Sequence, residues 1–241
     1  MQKRLDVYLS ENNTVKSRSL AESLIKQGSV EVNGRICTKA SFAVDENDNI
    51  RIIGEMPKYV GRGGLKLEKA LSHYRLHLDG SVCIDIGAST GGFTDCMLQN
   101  GAVKVYSVDV GTDQLDEKLR NDPRVVSMEK TDIRNCVGSL PAVDFIGIDV
   151  SFISLKLVLP SAYALLKDGG ECVALIKPQF EAGKSHLSKH GIVRDSKVHK
   201  KVCDDISEFA STLGFERGEV ISSPITGGDG NTEYLIYLRR L

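Results

Sequence analysis

Two lysines and two carboxylates, Lys66, Asp149, Lys177 and Glu233, stand far apart in the 241-residue chain, each at the edge of a segment that reads as a strand or a helix. Brought to one pocket, they could orient a sugar hydroxyl and remove its proton, and that hydroxyl is what distinguishes RNA from DNA. Asp149 closes the run Phe145-Ile146-Gly147-Ile148, and Lys177 closes Val173-Ala174-Leu175-Ile176. Parallel strands end at one edge of a sheet, so both tips are expected at the carboxyl edge, where open α/β sheets bind their ligands. Lys66 leads into a helix and Glu233 begins a last strand; taken alone, each reads as an ordinary surface charge.

The segment Cys83-Ile84-Asp85-Ile86-Gly87-Ala88-Ser89-Thr90-Gly91-Gly92-Phe93 joins a strand to a helix. A dinucleotide site takes the spacing Gly-x-Gly-x-x-Gly, whereas here the glycines fall at 87, 91 and 92 and Asp85 precedes them. A carboxylate there would repel a pyrophosphate and suit an amine or a sulfonium, which favours S-adenosylmethionine over NAD. Asp109 ends the second strand of this region, with Val110 beside it, and could accept bonds from two ribose hydroxyls. Asp132 follows the third strand and could receive an adenine amino group, while Asp149 borders the same edge. One aspartate at a strand end is as readily a helix cap; three in succession beside a glycine loop point to a cofactor.

The elements that must position these residues fall into two groups. From Val60 onward, strand-like runs at 82–86, 104–109, 125–128, 145–149 and 173–177 alternate with helical stretches, which predicts an α/β unit with a mostly parallel sheet covered on both faces. A helix over about 197–213, stopped by Gly214, precedes strands at 219–222 and 233–239, whose short link predicts antiparallel pairing. Residues 1–59 read as a separate α+β unit: two short helices, the second capped by Ser17 and ended by Gly28, then Val30-Glu31-Val32, the hairpin signal Asn33-Gly34 and a strand at 49–52. Residues 54–59, with Pro57, read as a linker, leaving 60–241 as the larger domain.

A formal net charge of -1 excludes a globally basic protein, so contact with nucleic acid has to come from local clusters. Lys3, Arg4, Lys16, Arg18, Lys26 and Arg35 gather in the small domain; Arg62 and the segment with Lys184, Lys189 and Arg194 add cations in the large one. Six cysteines with no close pair fit free thiols in a reducing cytoplasm. The start lacks an export signal, no apolar run is long enough to span a membrane, and the histidine pairs 73/77 and 186/190 lack a third ligand, so neither membrane nor metal is expected.

Arg4-Leu5-Asp6, Ser17-Arg18, Ala21, Ile25, Gly28 and Val32-Asn33-Gly34 resemble the small RNA-binding domain of small-subunit ribosomal protein four. From Gly61 onward, Arg62-Gly63-Gly64-Leu65-Lys66-Leu67, Asp85 to Thr94, Asp109-Val110-Gly111, Asp149-Val150-Ser151-Phe152 and Lys177-Pro178-Gln179-Phe180-Glu181 resemble the FtsJ-like ribose methyltransferases. Together the two parts resemble the TlyA family. The resemblance implies a Rossmann-like class I methyltransferase fold and transfer of methyl from S-adenosylmethionine to a cytidine ribose 2′-hydroxyl in ribosomal RNA or ribosomal subunits. It also implies a Lys-Asp-Lys-Glu set at Lys66, Asp149, Lys177 and Glu233. Independently of the resemblance, a weak sugar nucleophile needs placement before basicity, so Lys177 is expected to take or steer the proton, Asp149 and Glu233 to orient the lysines and Lys66 to help hold the hydroxyl. Two other readings stand beside it: a ribosome-assembly factor that binds RNA without catalysis, and a haemolysin, which the chain supports poorly for want of an export signal or membrane segment.

Overall fold

A computed structural model describes the chain except residues 1, 13, 16, 17, 27, 55, 56, 228 and 229. The chain divides into two compact units, Met1–Pro57 and Lys58–Leu241.

In the small unit, β1 (Lys3–Arg4) leads directly into α1 (Leu5–Glu11), followed by α2 (Arg18–Lys26), β2 (Val30–Val32), β3 (Arg35–Ile36), β4 (Ala43–Val44) and β5 (Ile50–Ile52). The Asn33-Gly34 turn, with φ of 51° and 80°, closes the β2–β3 hairpin, and β5 pairs antiparallel on the other side of β2. A second ribbon, β1 with β4, has no counterpart in the sequence reading: two residues per strand are too few to show a period. Leu5, Leu9, Ala21, Leu24, Ile25 and Val30 are fully buried and form this unit's own core. The predicted Ser17 cap lies outside the described residues.

The large unit carries α3 (Gly63–Tyr74), β6 (Val82–Ile86), α4 (Gly92–Gln99), β7 (Lys104–Val108), α5 (Glu117–Arg120), β8 (Val125–Met128), β9 (Val143–Ile148), α6 (Leu155–Leu165), β10 (Leu166–Ile176), α7 (Pro178–Glu181), α8 (Ser196–Thr212), β11 (Phe215–Ser222) and β12 (Tyr234–Arg240). The sheet order is β11-β12-β10-β9-β6-β7-β8, parallel from β10 to β8, with β12 antiparallel to β10 and β11 antiparallel to β12. Chain order reverses between β6 and β9, which places the ligand crevice of such a sheet at their carboxyl ends.

Side chains of a strand alternate between the two faces of a sheet. Ile84, Ile86, Ile146, Ile148, Ala174 and Ile236 therefore share the face covered by α6 and α8. Cys83, Phe145, Val173, Leu175 and Leu235 share the opposite face with Leu67 of α3 and Met97 of α4. By the same alternation Asp85, Asp149, Lys177 and Glu233 belong to the α3–α4 face. No helix among the described residues is long and apolar enough to cross a membrane.

Candidate active site

Strand register brings the last of these residues to the others. Because β12 runs antiparallel to β10, its first residue Tyr234 pairs with Ile176, the last of β10, so Glu233 arrives beside Lys177 at the carboxyl edge. Lys66 lies one turn into α3 on that helix's buried side, with Leu67, Ala70 and Leu71. Glycines permit the close approach: a Cβ at Gly92, on the first turn of α4, would stand 2.8 Å from the Gly64 amide of α3.

The four residues form a chain of charge pairs. Glu233 Oε2 is 2.7 Å from Lys66 Nζ, which is 3.5 Å from Asp149 Oδ2, and Asp149 Oδ1 is 2.6 Å from Lys177 Nζ. The approaches to Glu233 Oε2 and Asp149 Oδ1 lie off the ideal hydrogen-bond direction, so these contacts act as ion pairs. Lys177 also donates to Ser151 Oγ at 2.9 Å. Lys66, Lys177 and Glu233 are buried and Asp149 is partly open, so the carboxylate shared by both lysines faces the crevice.

That crevice, about 200 Å³, is lined by Gly63, Asp85, Gly87, Phe93, Asp149 and Lys177 among others. Gly87 turns the chain with φ 83°, and a Cβ there would sit 2.5 Å from the Asp149 carbonyl; the loop closes against β9 only with glycine at that position. Asp85 is fully buried: one oxygen accepts from Thr94 N at 2.8 Å and Thr94 Oγ1 at 2.7 Å, and the other has no partner. Burial, opposed by the Thr94 bonds, pushes its carboxyl from 3.8 up to about 7. A buried carboxylate oxygen left without a donor, at the wall of a crevice, fits a cationic ligand group.

Of the other predicted cofactor residues, Ser89 and Thr90 are exposed at the loop tip, while Gly91, with φ 94°, immediately precedes α4 and Phe93 in its first turn is buried. Asp109 holds the loop from below, accepting from Ser89 N at 2.8 Å and Gly111 N at 2.7 Å, with Val110 73% exposed beside it. Asp132 caps a short turn by accepting from Arg134 N and is held below its ordinary value by the Arg134 guanidinium, 2.6 Å away. The structure therefore places Asp132 in the capping role that the sequence left open.

The sequence reading passed over three neighbours. Phe152 is 91% exposed with φ 63° and stands beside Phe180, ring centroids 5.0 Å apart. Glu181 accepts from Ser154 Oγ at 2.6 Å and from Leu155 N at 2.7 Å, binding the segment after Asp149 to the one after Lys177. Ser151 anchors Lys177, and only its place two residues beyond Asp149 could have signalled it.

The predicted RNA-contacting cations are scattered in kind. In the small unit Arg4 and Arg18 converge on the fully buried Asp6 at 2.9 and 2.8 Å, Lys3 pairs with Glu11 at 2.6 Å, and Lys26 lies 4.0 Å from Glu22. Arg35 is exposed, and Lys16 lies outside the described residues. In the large unit Arg62, Lys184, Lys189 and Arg194 are all exposed. A second cleft of about 220 Å³, at the opposite end of the strands, contains Asp144 already paired with Lys167 at 2.6 Å.

Residues 59–240 match the FtsJ-like methyltransferase family and residues 3–50 the S4 domain. The chain is 47% identical to YqxC of Bacillus subtilis (strain 168), named as a candidate rRNA methyltransferase, over 98% of this chain and 85% of that one. It is 37% identical to the 16S/23S rRNA (cytidine-2′-O)-methyltransferase TlyA of Mycobacterium tuberculosis (strain ATCC 25618 / H37Rv), over 98% and 89%. A solved structure from Streptococcus thermophilus, named as a candidate hemolysin, superposes with a TM-score of 0.79 at 45% identity, over 99% of this chain and 88% of that one.

Proposed function

The chain belongs to the FtsJ-like methyltransferases, in the S4-bearing TlyA family, and on that premise we propose that it methylates a cytidine ribose 2′-hydroxyl of ribosomal RNA. The observation that carries the reading is the chain of pairs Glu233–Lys66–Asp149–Lys177 at the wall of the glycine-loop crevice. S-adenosylmethionine is the cofactor, and it supplies an electrophilic methyl group carried on a sulfonium. The crevice fits it: Asp85 offers an unpartnered oxygen to a cation, and Gly87 leaves room for close approach.

A sugar hydroxyl is a weak nucleophile, so its placement supplies a large part of the rate. Lys177 and Lys66, both reaching Asp149, hold the hydroxyl oxygen; as that oxygen attacks, its proton is steered by the Lys177 ammonium, which takes it only as it hands one of its own to the Asp149 carboxylate 2.6 Å away. Asp149 fixes the direction of both lysines, and Glu233 anchors Lys66 from behind. Phe152 offers an exposed ring on which the base of the target nucleotide can stack. Arg4, Arg18 and Arg35 of the S4 domain, with Arg62 and the 184–194 segment, contact phosphates.

Methyl transfer to unmodified ribosomal RNA, with Lys177→Ala as control, tests the assignment. Transfer lost in the variant while cofactor still raises its melting temperature is the expected result, and wild-type turnover in Lys177→Ala would refute the role.

A further inference from the structure

Among the buried polar side chains outside the set that handles the hydroxyl are His199 on α8 and Asn231 just before β12. His199 Nε2 is 2.9 Å from the Val193 carbonyl, which can only accept, so that nitrogen carries a proton. The other ring nitrogen, Nδ1, is 2.9 Å from the Tyr234 hydroxyl, which donates to it in the neutral ring. Asn231 Nδ2 donates to the Gly191 carbonyl at 3.2 Å, and Asn231 Oδ1 accepts from the Val193 amide at 3.2 Å. Both backbone polar groups of Val193, itself buried, are thus taken by side chains from α8 and from the approach to β12.

The segment they grip does not need them to close its own turn. Ser188 N donates to the Ile192 carbonyl and Gly191 N to the Ser188 carbonyl, both at 2.9 Å. The bonds from His199 and Asn231 instead fix where that closed turn points. Asn231 and Tyr234 flank Glu233 in sequence, and Asn231 also accepts from Gly227 N at 2.9 Å through its own carbonyl. Burying an imidazole and an amide costs free energy unless every polar atom is paired, and here the pairing joins the segment that carries Lys189 and Arg194 to Tyr234 of β12.

We propose that His199 and Asn231 strap the basic 184–194 segment to the strand that presents Glu233, so that its cations and the Glu233–Lys66 pair engage one RNA at a fixed offset. The two are positioning residues: they act through Val193 and Tyr234 and touch no reacting atom. The segment around Val193 is accordingly a preset wall of the RNA site and not a free-swinging lid. This inference rests on the RNA-methylating reading above.

The test uses the full chain with Asn231→Ala and the milder Tyr234→Phe, reading three quantities: amide hydrogen exchange at Val193, cofactor affinity, and the KM for unmodified ribosomal subunits. In Asn231→Ala, Val193 exchange and KM are each expected to rise on the order of tenfold, as loss of a buried hydrogen bond allows, with cofactor affinity unchanged. Arg194→Ala, costly in the wild type, is expected to cost little in the Asn231→Ala background. Fast exchange at Val193 with an unchanged KM, or additive losses, would overturn the strap's role; unchanged exchange in both variants would overturn the strap itself. A wild type that transfers no methyl to either subunit would instead refute the methylation reading, and affinity for ribosomal RNA would then replace KM in the same comparisons.

Discussion

Asp149 is the hinge of the site at the scale of single residues, because both lysines pair with it, whereas Glu233 pairs with Lys66. Replacing Lys177 by Ala is predicted to lower methyl transfer by about 10²–10⁴-fold, the usual worth of a positioned acid or base, with cofactor affinity within a few-fold. Glu233→Gln leaves the buried Lys66 short of an anion; its cost to folding stability is predicted at about 3 kcal/mol, read from chemical denaturation. Asp85 gives a pH signature. Its carboxyl is raised from 3.8 to about 7 by burial, so the unfolded chain loses the proton at a lower pH than the folded one does. The stability of the cofactor-free protein should therefore fall as pH rises from about 4 to 7, and Asp85→Asn should flatten that slope in a pH series of thermal scans. A cationic ligand favours the ionised form, so the cofactor's stabilisation should be larger at pH 8 than at pH 6 in the wild type and lose that difference in Asp85→Asn. These residues were legible because residue type and strand position coincided: Asp85, Asp149 and Lys177 sit at strand ends. Phe152 and Ser151 were not, since nothing in a single sequence marks an exposed ring or an anchoring hydroxyl.

Elements set the distances. Period-two alternation puts Asp85, Asp149, Lys177 and Glu233 on one sheet face, and the antiparallel register of β12 brings the last to the others. A Cβ at Gly87 would meet the Asp149 carbonyl at 2.5 Å, so Gly87→Ala is predicted to cut cofactor affinity by at least about tenfold, measured by titration calorimetry, since the loop must shift and the positive φ adds strain. The parallel strands, α8 and the final antiparallel pair were legible from apolar periodicity and glycine stops. Helix α6 was not: Leu155–Leu165 is apolar nearly throughout and carries Pro160 inside, so it shows no amphipathic stripe and reads as broken where it continues. The early part of β10 escaped for a related reason. Its register shifts between Leu166 and Glu171, and Lys167-Asp168-Gly169-Gly170 reads as a turn although it interrupts a strand.

For the whole molecule, a formal charge of -1 is reconciled with an RNA substrate by local placement of cations. Part of that placement the sequence could not reveal: Arg4 and Arg18 share the buried Asp6, which fixes their direction at the surface of the S4 unit. Arg4→Ala and Arg18→Ala should each weaken RNA binding and reduce the slope of log affinity against log salt by about one, without altering cofactor binding. Each unit holds a hydrophobic core of its own. The measurement that bears most directly on the central claim is transfer of labelled methyl from S-adenosylmethionine to separated, unmodified small and large ribosomal subunits, with mass mapping of the product nucleotide. The predicted result is label on a cytidine ribose, absent with Lys177→Ala. Cofactor binding without label on either subunit would contradict it and leave an RNA-binding assembly factor in its place.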